Sequence, residues 1–173
     1  MTIVVNYDKL IKVIFLTRIV VFSDTHRQTK DAFKVLENLI DVDMVIHLGD
    51  CVADAVELRR AFKDIPVYFV SGNNDIFSDY PESEIVSAEK VRIFCTHGHN
   101  YNTDRLVSLA KDKGCLVVLR GHTHVSEDTT VDGIRIINPG SISRPRDGQK
   151  SYAVIEIEEK QVSACIINIQ SFY

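Results

Sequence analysis

The stretch Ile19-Val20-Val21-Phe22-Ser23-Asp24-Thr25-His26 decides the fold, because an apolar run that is typical of a buried strand leads into a polar Asp-Thr-His block. Ligand-binding residues of open α/β sheets lie at the carboxyl ends of strands, so we expect a site where this strand ends. Four further apolar runs lead into polar blocks in the same way: Gly49-Asp50, Gly72-Asn73-Asn74-Asp75, His97-Gly98-His99 and Gly121-His122-Thr123-His124.

Helices are predicted between these strands by apolar residues at positions i, i+3 and i+4. The expected faces are Ala32, Val35, Leu36, Leu39 and Ile40, then Ala55, Leu58, Ala61 and Phe62, then Leu106, Leu109 and Ala110. Alternation of strand and helix across residues 19–71 predicts parallel pairing, whereas the last third is mostly strands, at residues 134–137, 152–158 and 162–169. We therefore expect an α/β protein, a four-layer α-β-β-α sandwich of two mixed sheets.

The chain of 173 residues, 45% of them hydrophobic, fits one domain, which we assign to residues 18–173. Residues 1–17 are expected to be an N-terminal extension. Asp8, Lys9 and Lys12 interrupt its apolar residues and no small-residue cleavage site follows, which disfavours a secretory signal. An added strand or helix and a start codon assigned too far upstream both stay open. Because every polar block lies at or beyond Asp24, this extension is predicted to be dispensable for chemistry.

Charge and cysteine content narrow the function classes. The formal net charge of −4 lacks the basic surface on which non-specific nucleic-acid binding depends, so nucleic acid is a disfavoured partner. No run approaches the roughly 20 apolar residues that a membrane span needs. The four cysteines form no C-x-x-C pair, and three lie in or beside apolar strands, which predicts buried, reduced thiols in a cytoplasmic protein.

The side chains in the polar blocks favour divalent metal ions. Asp24 and His26 are two residues apart in what we expect to be extended chain, which directs both to the same side. His122 and His124 repeat this spacing, although a bend there would direct them to two different ions. Carboxylate, imidazole and amide ligands together suit manganese, iron, zinc and nickel, of which we take manganese as the first candidate. Each block alone is weak, but five blocks at five strand ends predict a metal site.

These blocks, together with Asn138-Pro139-Gly140-Ser141, resemble the calcineurin-like metallophosphoesterase superfamily, and within it the small single-domain YfcE-like phosphodiesterases. The resemblance spans about residues 18–170. It implies a binuclear centre and a phosphodiesterase in which a metal-bridging hydroxide attacks a small phosphoester substrate. It also implies the ligands: Asp24, His26 and His124 for the first ion, Asn73, His97 and His122 for the second, and Asp50 between both.

One residue departs from the pattern of the superfamily. In much of that superfamily a histidine follows the metal-binding asparagine and protonates the leaving oxygen, but here the position is Asn74, whose amide cannot donate a proton near neutral pH. His99 is either a substitute proton donor or phosphate contact, or a hydrogen-bonding neighbour of His97. Asp75 is expected to orient the loop or a nearby histidine.

Other polar residues have weaker assignments. Arg120, Arg144 and Arg146 are candidate phosphate clamps, because guanidinium matches phosphate geometry, or else solvated surface charges. His47 is expected to be a packed, hydrogen-bonded core histidine. Cys51 is interpreted as a packing residue.

Three alternatives to a phosphodiesterase stay open. A phosphomonoesterase differs only in the shape and charge of its pocket. A catalytically weak, metal-binding scaffold module of the same fold would work through its protein surfaces, and a nuclease ranks third because the chain is acidic. Homo-oligomerisation is left open.

Overall fold

The computed structural model describes residues 2–7 and 10–169, and the surroundings of side chains from residue 16 to residue 169. The elements in chain order are β1 (Thr2–Tyr7), β2 (Leu10–Phe22), α1 (Lys30–Asn38), β3 (Met44–His47), α2 (Val52–Ala61), β4 (Val67–Phe69), β5 (Ser83–Ala88), β6 (Val91–Thr96), α3 (Thr103–Asp112), β7 (Val117–Leu119), β8 (Ser126–Val131), β9 (Ile134–Pro139), β10 (Ser151–Glu158) and β11 (Gln161–Asn168).

The strands form two mixed sheets. The first has the order β11-β10-β2-β3-β4, with β1 paired to β2, and the second has the order β5-β6-β7-β9-β8. Parallel pairing joins β2 to β3 and β3 to β4 in the first sheet, and β6 to β7 and β7 to β9 in the second. Because parallel neighbours end at the same sheet edge, each sheet brings several polar blocks to one edge.

Three apolar clusters define the layers. The cluster between the two sheets takes residues from both, such as Val21 of β2 and Ile93 of β6. A second cluster packs Leu36 of α1 and Leu58 of α2 against the outer face of the first sheet. A third packs Leu106 of α3 against the second sheet. The order of layers is therefore helix, sheet, sheet, helix, which confirms the predicted four-layer sandwich.

Several local predictions need correction. Ile40 was expected on the apolar face of the first helix, but α1 ends at Asn38 and Ile40 is 75% exposed. Ala61 is also exposed, because it is the last residue of α2 and lies beyond the buried residues Ala55 and Leu58. Cys165 is exposed on the outermost strand of the first sheet, so it is not a buried thiol.

The expected N-terminal boundary lies inside a strand. β2 runs without interruption from Leu10 to Phe22, and β1 pairs antiparallel with its first half. That residues 1–17 are dispensable for chemistry stays a prediction. Among the described residues, no helix is both long enough and apolar enough to cross a bilayer.

Candidate metal centre

The seven expected ligands follow directly after strands that end at a common cleft. Asp24 and His26 follow β2, Asp50 follows β3, Asn73 follows β4, His97 follows β6, and His122 and His124 follow β7. The cleft has a volume of about 290 Å³ and is lined by His26, Asp50, Asn73, Asn74, His122, His124, Arg144 and Arg146. A larger groove, of about 1190 Å³, lies between α1 and the end of β11 and is lined by none of the seven.

The backbone of this site has an uncommon conformation. The expected ligands Asp24, His26, Asp50, His122 and His124 all have positive φ, between 45° and 68°. Non-glycine residues adopt such values rarely, and in folded proteins they cluster at ligand clamps, where the surroundings hold them. The prediction that Asp24 and His26 lie in extended chain is therefore wrong: the strand stops at Phe22 and a tight turn follows.

One group of side chains contains Asp24, His26, Asp50 and His124, each of which offers one ligand atom within 4.8 Å of the others. His124 Nε2 lies 3.1 Å from Asp24 Oδ1 and 3.2 Å from His26 Nε2. Asp50 Oδ2 lies 3.9 Å from His26 Nε2. The spacing leaves room for a small cation between oxygen and nitrogen ligands.

A second group lies on the other side of Asp50. His97 Nε2 is 3.3 Å from Asp50 Oδ1 and 3.2 Å from Asn73 Oδ1. The ring of His122 stands edge-on to that of His97, with 5.2 Å between their centroids. Asp50 therefore turns one carboxylate oxygen towards each group of side chains.

Backbone hydrogen bonds fix the ring orientation and tautomer of two of these histidines. His124 Nδ1 lies 2.6 Å from the carbonyl oxygen of Arg144, and His97 Nδ1 lies 2.7 Å from that of Leu48. A carbonyl only accepts, so each Nδ1 carries the proton and, in the neutral ring, Nε2 presents a lone pair to a carboxylate.

Two facing acceptors repel unless a cation lies between them. Asp24 Oδ1 is buried and, within the described residues, receives no well-aligned hydrogen bond. The donor set thus fits divalent ions, since histidine ligands commonly donate their second ring N–H to a carbonyl.

Burial and the two carboxylates together determine the pKa shifts at the site. Burial opposes ionisation of Asp50, but hydrogen bonds from His97 and Asn74 outweigh it and hold the pKa of that carboxyl well below its usual range. Burial lowers the pKa values of His26 and His122, which favours their neutral, ligand-competent form. The carboxylate of Asp24, 3.1 Å from His124 Nε2, raises the pKa of that ring, so without metal a proton on His124 offsets the buried negative charge.

Asp75 acts on the backbone of the loop that holds Asp50. Its carboxylate accepts hydrogen bonds from the N–H groups of Asp50 at 3.0 Å, Cys51 at 3.1 Å, Val52 at 2.7 Å and Gly72 at 2.8 Å. Three of these donors open helix α2, where backbone N–H groups lack partners within the helix. Asp75 therefore caps α2 from a different loop and fixes the position of Asp50.

Asn74 and His99, which the sequence singled out for their bearing on proton transfer, lie beside the two groups. Asn74 donates to both oxygens of Asp50, from its backbone N–H at 3.0 Å and from Nδ2 at 2.6 Å. The ring centroid of His99 is 5.5 Å from that of His97 and 6.1 Å from that of His122. Its buried Nδ1 has no hydrogen-bond partner among the described residues. His99 is thus next to the site with one ring nitrogen unengaged.

Sequence analysis missed several residues that hold the ligand loops. Ser141 and Ser143 both donate through Oγ to the carbonyl oxygen of Asp24, at 2.8 and 2.9 Å. Ser141 belongs to the Asn-Pro-Gly-Ser block, so the resemblance marked its position, but nothing in the sequence singled out Ser143. These bonds tie the end of β2 to the loop after β9.

His47 is the fully buried, hydrogen-bonded histidine that the sequence predicted. Its Nδ1 accepts from the N–H of Gly49 at 3.2 Å, and its Nε2 therefore donates to Thr25 Oγ1 at 3.1 Å. Burial lowers the pKa of this histidine to about 4. A neutral imidazole thus links the Asp24–His26 turn to the loop of Asp50.

Relatives of known sequence were identified by comparison. A family model described as the calcineurin-like phosphoesterase superfamily domain matches residues 17–160. A probable metallophosphoesterase of Methanocaldococcus jannaschii is 35% identical over 149 residues, which cover 81% of this chain and 76% of that protein. A second protein of that archaeon, named a phosphodiesterase, is 27% identical over 169 residues, with 87% and 99% covered.

Solved structures agree with this fold. A predicted phosphoesterase from Streptococcus pneumoniae superposes with a TM-score of 0.75 at 28% identity, over 89% of this chain and 90% of that one. Vacuolar protein sorting 29 from Cryptosporidium parvum superposes with a TM-score of 0.69 at 18% identity, over 91% of this chain and 100% of that one. The second likeness concerns the fold alone.

Proposed function

The chain belongs to the calcineurin-like phosphoesterase superfamily, and from that premise we propose that it is a phosphodiesterase that works with two divalent metal ions. The observation that carries this proposal is the position of Asp50, which turns Oδ2 towards His26 at 3.9 Å and Oδ1 towards His97 at 3.3 Å. A carboxylate between two sets of ligands is suited to bridge two cations, and it has one oxygen for each. Manganese is our first candidate, with iron, zinc or nickel as alternatives.

Bound divalent ions would supply a nucleophile near neutral pH by lowering the pKa of water, and they would polarise the phosphoryl group. The residues of the chain would hold these ions and orient their ligands. Asp24, His26 and His124 would hold one ion, and Asn73, His97 and His122 the other. The carbonyl oxygen of Leu48 holds the ring of His97, and that of Arg144 holds the ring of His124, so that Nε2 of each ring can bind a metal ion. The ligands are thus oriented before metal and substrate arrive.

Proton transfer to the leaving oxygen is the weak part of this site. Asn74 occupies the position next to the expected ligand Asn73, and its side-chain amide is already engaged with Asp50. His99 is an imidazole beside the cleft and outside the ligand set, and its unengaged Nδ1 supports a role as proton donor or phosphate contact. Because position 74 has an amide and no acid, esters whose leaving groups depart easily as anions should be the preferred substrates.

Phosphodiester hydrolysis is tested with the manganese-loaded protein on bis(p-nitrophenyl) phosphate and p-nitrophenyl phosphate, with and without chelator. We expect chelator-sensitive turnover with the larger kcat/KM for the diester. Asp50→Asn removes the bridging charge and should lower turnover by about 10²-fold or more. The matched control Asp64→Asn removes an exposed carboxylate outside the cleft and should leave turnover unchanged. A larger kcat/KM for the monoester would instead assign a phosphomonoesterase.

A scaffold module of the same fold is the second candidate, which the amide at position 74 favours. The same assay separates the two. A scaffold would bind metal but turn over neither ester.

A further inference from the structure

Two arginines at the rim of the cleft have guanidinium groups without a partner among the described residues. Arg144 and Arg146 line the cleft with the expected ligands, and both are exposed. Within residues 16–169 neither guanidinium forms a hydrogen bond or ion pair, whereas Arg120, the third candidate clamp, is paired with Glu127. Arg144 and Arg146 are therefore the uncommitted positive charges at the opening of the site.

The backbone that carries these arginines is fixed to the site. The N–H of Arg144 donates to Ser141 Oγ at 2.8 Å, and its carbonyl oxygen accepts from His124 Nδ1 at 2.6 Å. The N–H of Arg146 donates to the carbonyl oxygen of His124 at 2.9 Å. Pro145 between them restricts the backbone further. The segment is thus held against His124 while its two guanidinium groups stay free to bind.

Charge balance indicates what these groups bind. Two divalent ions opposed by the carboxylates of Asp24 and Asp50 leave a charge of about +2, which a hydroxide nucleophile and a diester monoanion would cancel. Arg144 and Arg146, which form no ion pair within residues 16–169, add further positive charge at the rim. A phosphate monoester group, with a charge of about −1.5 to −2 near pH 7, matches them.

We propose that Arg144 and Arg146 bind a second phosphate group of the substrate, beside the phosphodiester that is cleaved. The planar guanidinium fork forms paired hydrogen bonds to phosphate oxygens, which gives such a site geometric specificity. The substrate class is thus a phosphodiester that also carries a terminal phosphate, as in a 3′-phosphorylated nucleoside 5′-diester. This inference rests on the proposed phosphodiesterase function.

A matched pair of substrates tests the site: the 5′-(p-nitrophenyl phosphate) ester of thymidine with and without a 3′-phosphate. We expect the 3′-phosphate to raise kcat/KM about tenfold or more, mainly through KM, and Arg144→Gln/Arg146→Gln to remove that advantage. The control Arg60→Gln/Arg105→Gln removes two exposed arginine charges outside the cleft, and it should retain the advantage that the 3′-phosphate gives in kcat/KM. If the double variant at 144 and 146 slows both substrates equally, the arginines act on the cleaved phosphate and the inference is wrong.

Calorimetric binding provides a readout without turnover. The manganese-loaded protein should bind thymidine 3′,5′-bisphosphate about tenfold more tightly than thymidine 5′-monophosphate, and Arg144→Gln/Arg146→Gln should bind the two alike. Equal affinities in the wild type would overturn the second-phosphate site even if the diester is hydrolysed. A preference for the bisphosphate that depends on the arginines, without hydrolysis of either diester, would retain the site and refute the phosphodiesterase.

Discussion

Asn74 donates two hydrogen bonds to Asp50, one from its backbone N–H to Oδ1 at 3.0 Å and one from Nδ2 to Oδ2 at 2.6 Å. The residue at the position where much of the superfamily has a proton-donating histidine therefore orients the carboxylate that we expect to bridge two ions. The substitution of histidine by asparagine exchanges an acid for a positioning group, and the first prediction follows from this exchange.

Turnover should depend steeply on the pKa of the leaving group. Without a general acid at position 74, the departing oxygen leaves largely as an anion, so aryl diesters should be hydrolysed and alkyl diesters only poorly. The measurement is kcat/KM across a series of aryl and alkyl diesters. A flat dependence would show that another group already delivers the proton.

Asn74→His should restore a donor and raise the rate most for basic leaving groups, by up to about 10²-fold. The loss of the bond from Nδ2 to Asp50 is expected to weaken metal binding, so rates are compared at saturating manganese. His99→Ala is the companion variant. If His99 is the proton donor, His99→Ala should lower the rate severely and Asn74→His should raise it little. If neither variant changes the dependence of the rate on the leaving group, the missing-acid explanation fails.

Asp75→Asn should destabilise the protein and weaken metal binding together. Asparagine replaces one acceptor oxygen with an N–H donor that faces the backbone N–H groups of the Asp50 loop, which we expect to cost about 1–3 kcal/mol. Urea unfolding and manganese titration measure the two effects. The control Asp79→Asn alters an exposed carboxylate in the loop that also contains Asp75, and it should change neither stability nor metal binding. A fall in kcat alone, at unchanged stability and metal affinity, would instead assign Asp75 a chemical role.

His47 should make the metal-free protein less stable as the pH falls. Its pKa is lowered to about 4 in the folded protein, whereas it is near 6.5 in an unfolded chain. Between these values the unfolded state binds a proton that the folded state does not, so stability present above pH 6.5 is lost on acidification, by up to about 3 kcal/mol.

The test compares urea unfolding of the wild type and His47→Gln, in chelator, at pH 7.5 and 4.5. Carboxylates and the other histidines titrate in both proteins, so the difference between the two pH dependences isolates His47. We expect a smaller loss of stability in the variant. Equal losses would mean that His47 is protonated in the folded protein as readily as in the unfolded one.

Much of the architecture was predictable, because apolar runs that end in polar blocks mark both the buried strands and their carboxyl ends. β5 and β8 were missed: the residues of β8, Ser-Glu-Asp-Thr-Thr-Val, are largely polar, since an edge strand with solvent on one face does not need an apolar run. The convergence of the polar side chains could be read from the sequence, and their role as metal ligands stays a prediction.

The local backbone of the site could not be predicted. Positive φ at Asp24 and His26 is imposed by tertiary contacts, including the bond from the N–H of Asp24 to the carbonyl oxygen of Gly49 at 3.2 Å. The same holds for Asp75, because its four backbone partners come together only when β3 and β4 pair. Such long-range contacts leave no pattern in a single sequence.

Metal content of three proteins tests the binuclear centre most directly. Wild type, His26→Ala and Asp50→Ala are saturated with manganese and freed of unbound metal, and ions per folded chain are counted by mass spectrometry, with circular dichroism to confirm the fold. We predict about two ions in the wild type, about one in His26→Ala, and losses at both positions in Asp50→Ala. Two ions retained by folded Asp50→Ala, or a wild type that binds only one, would contradict a centre in which Asp50 holds both metals.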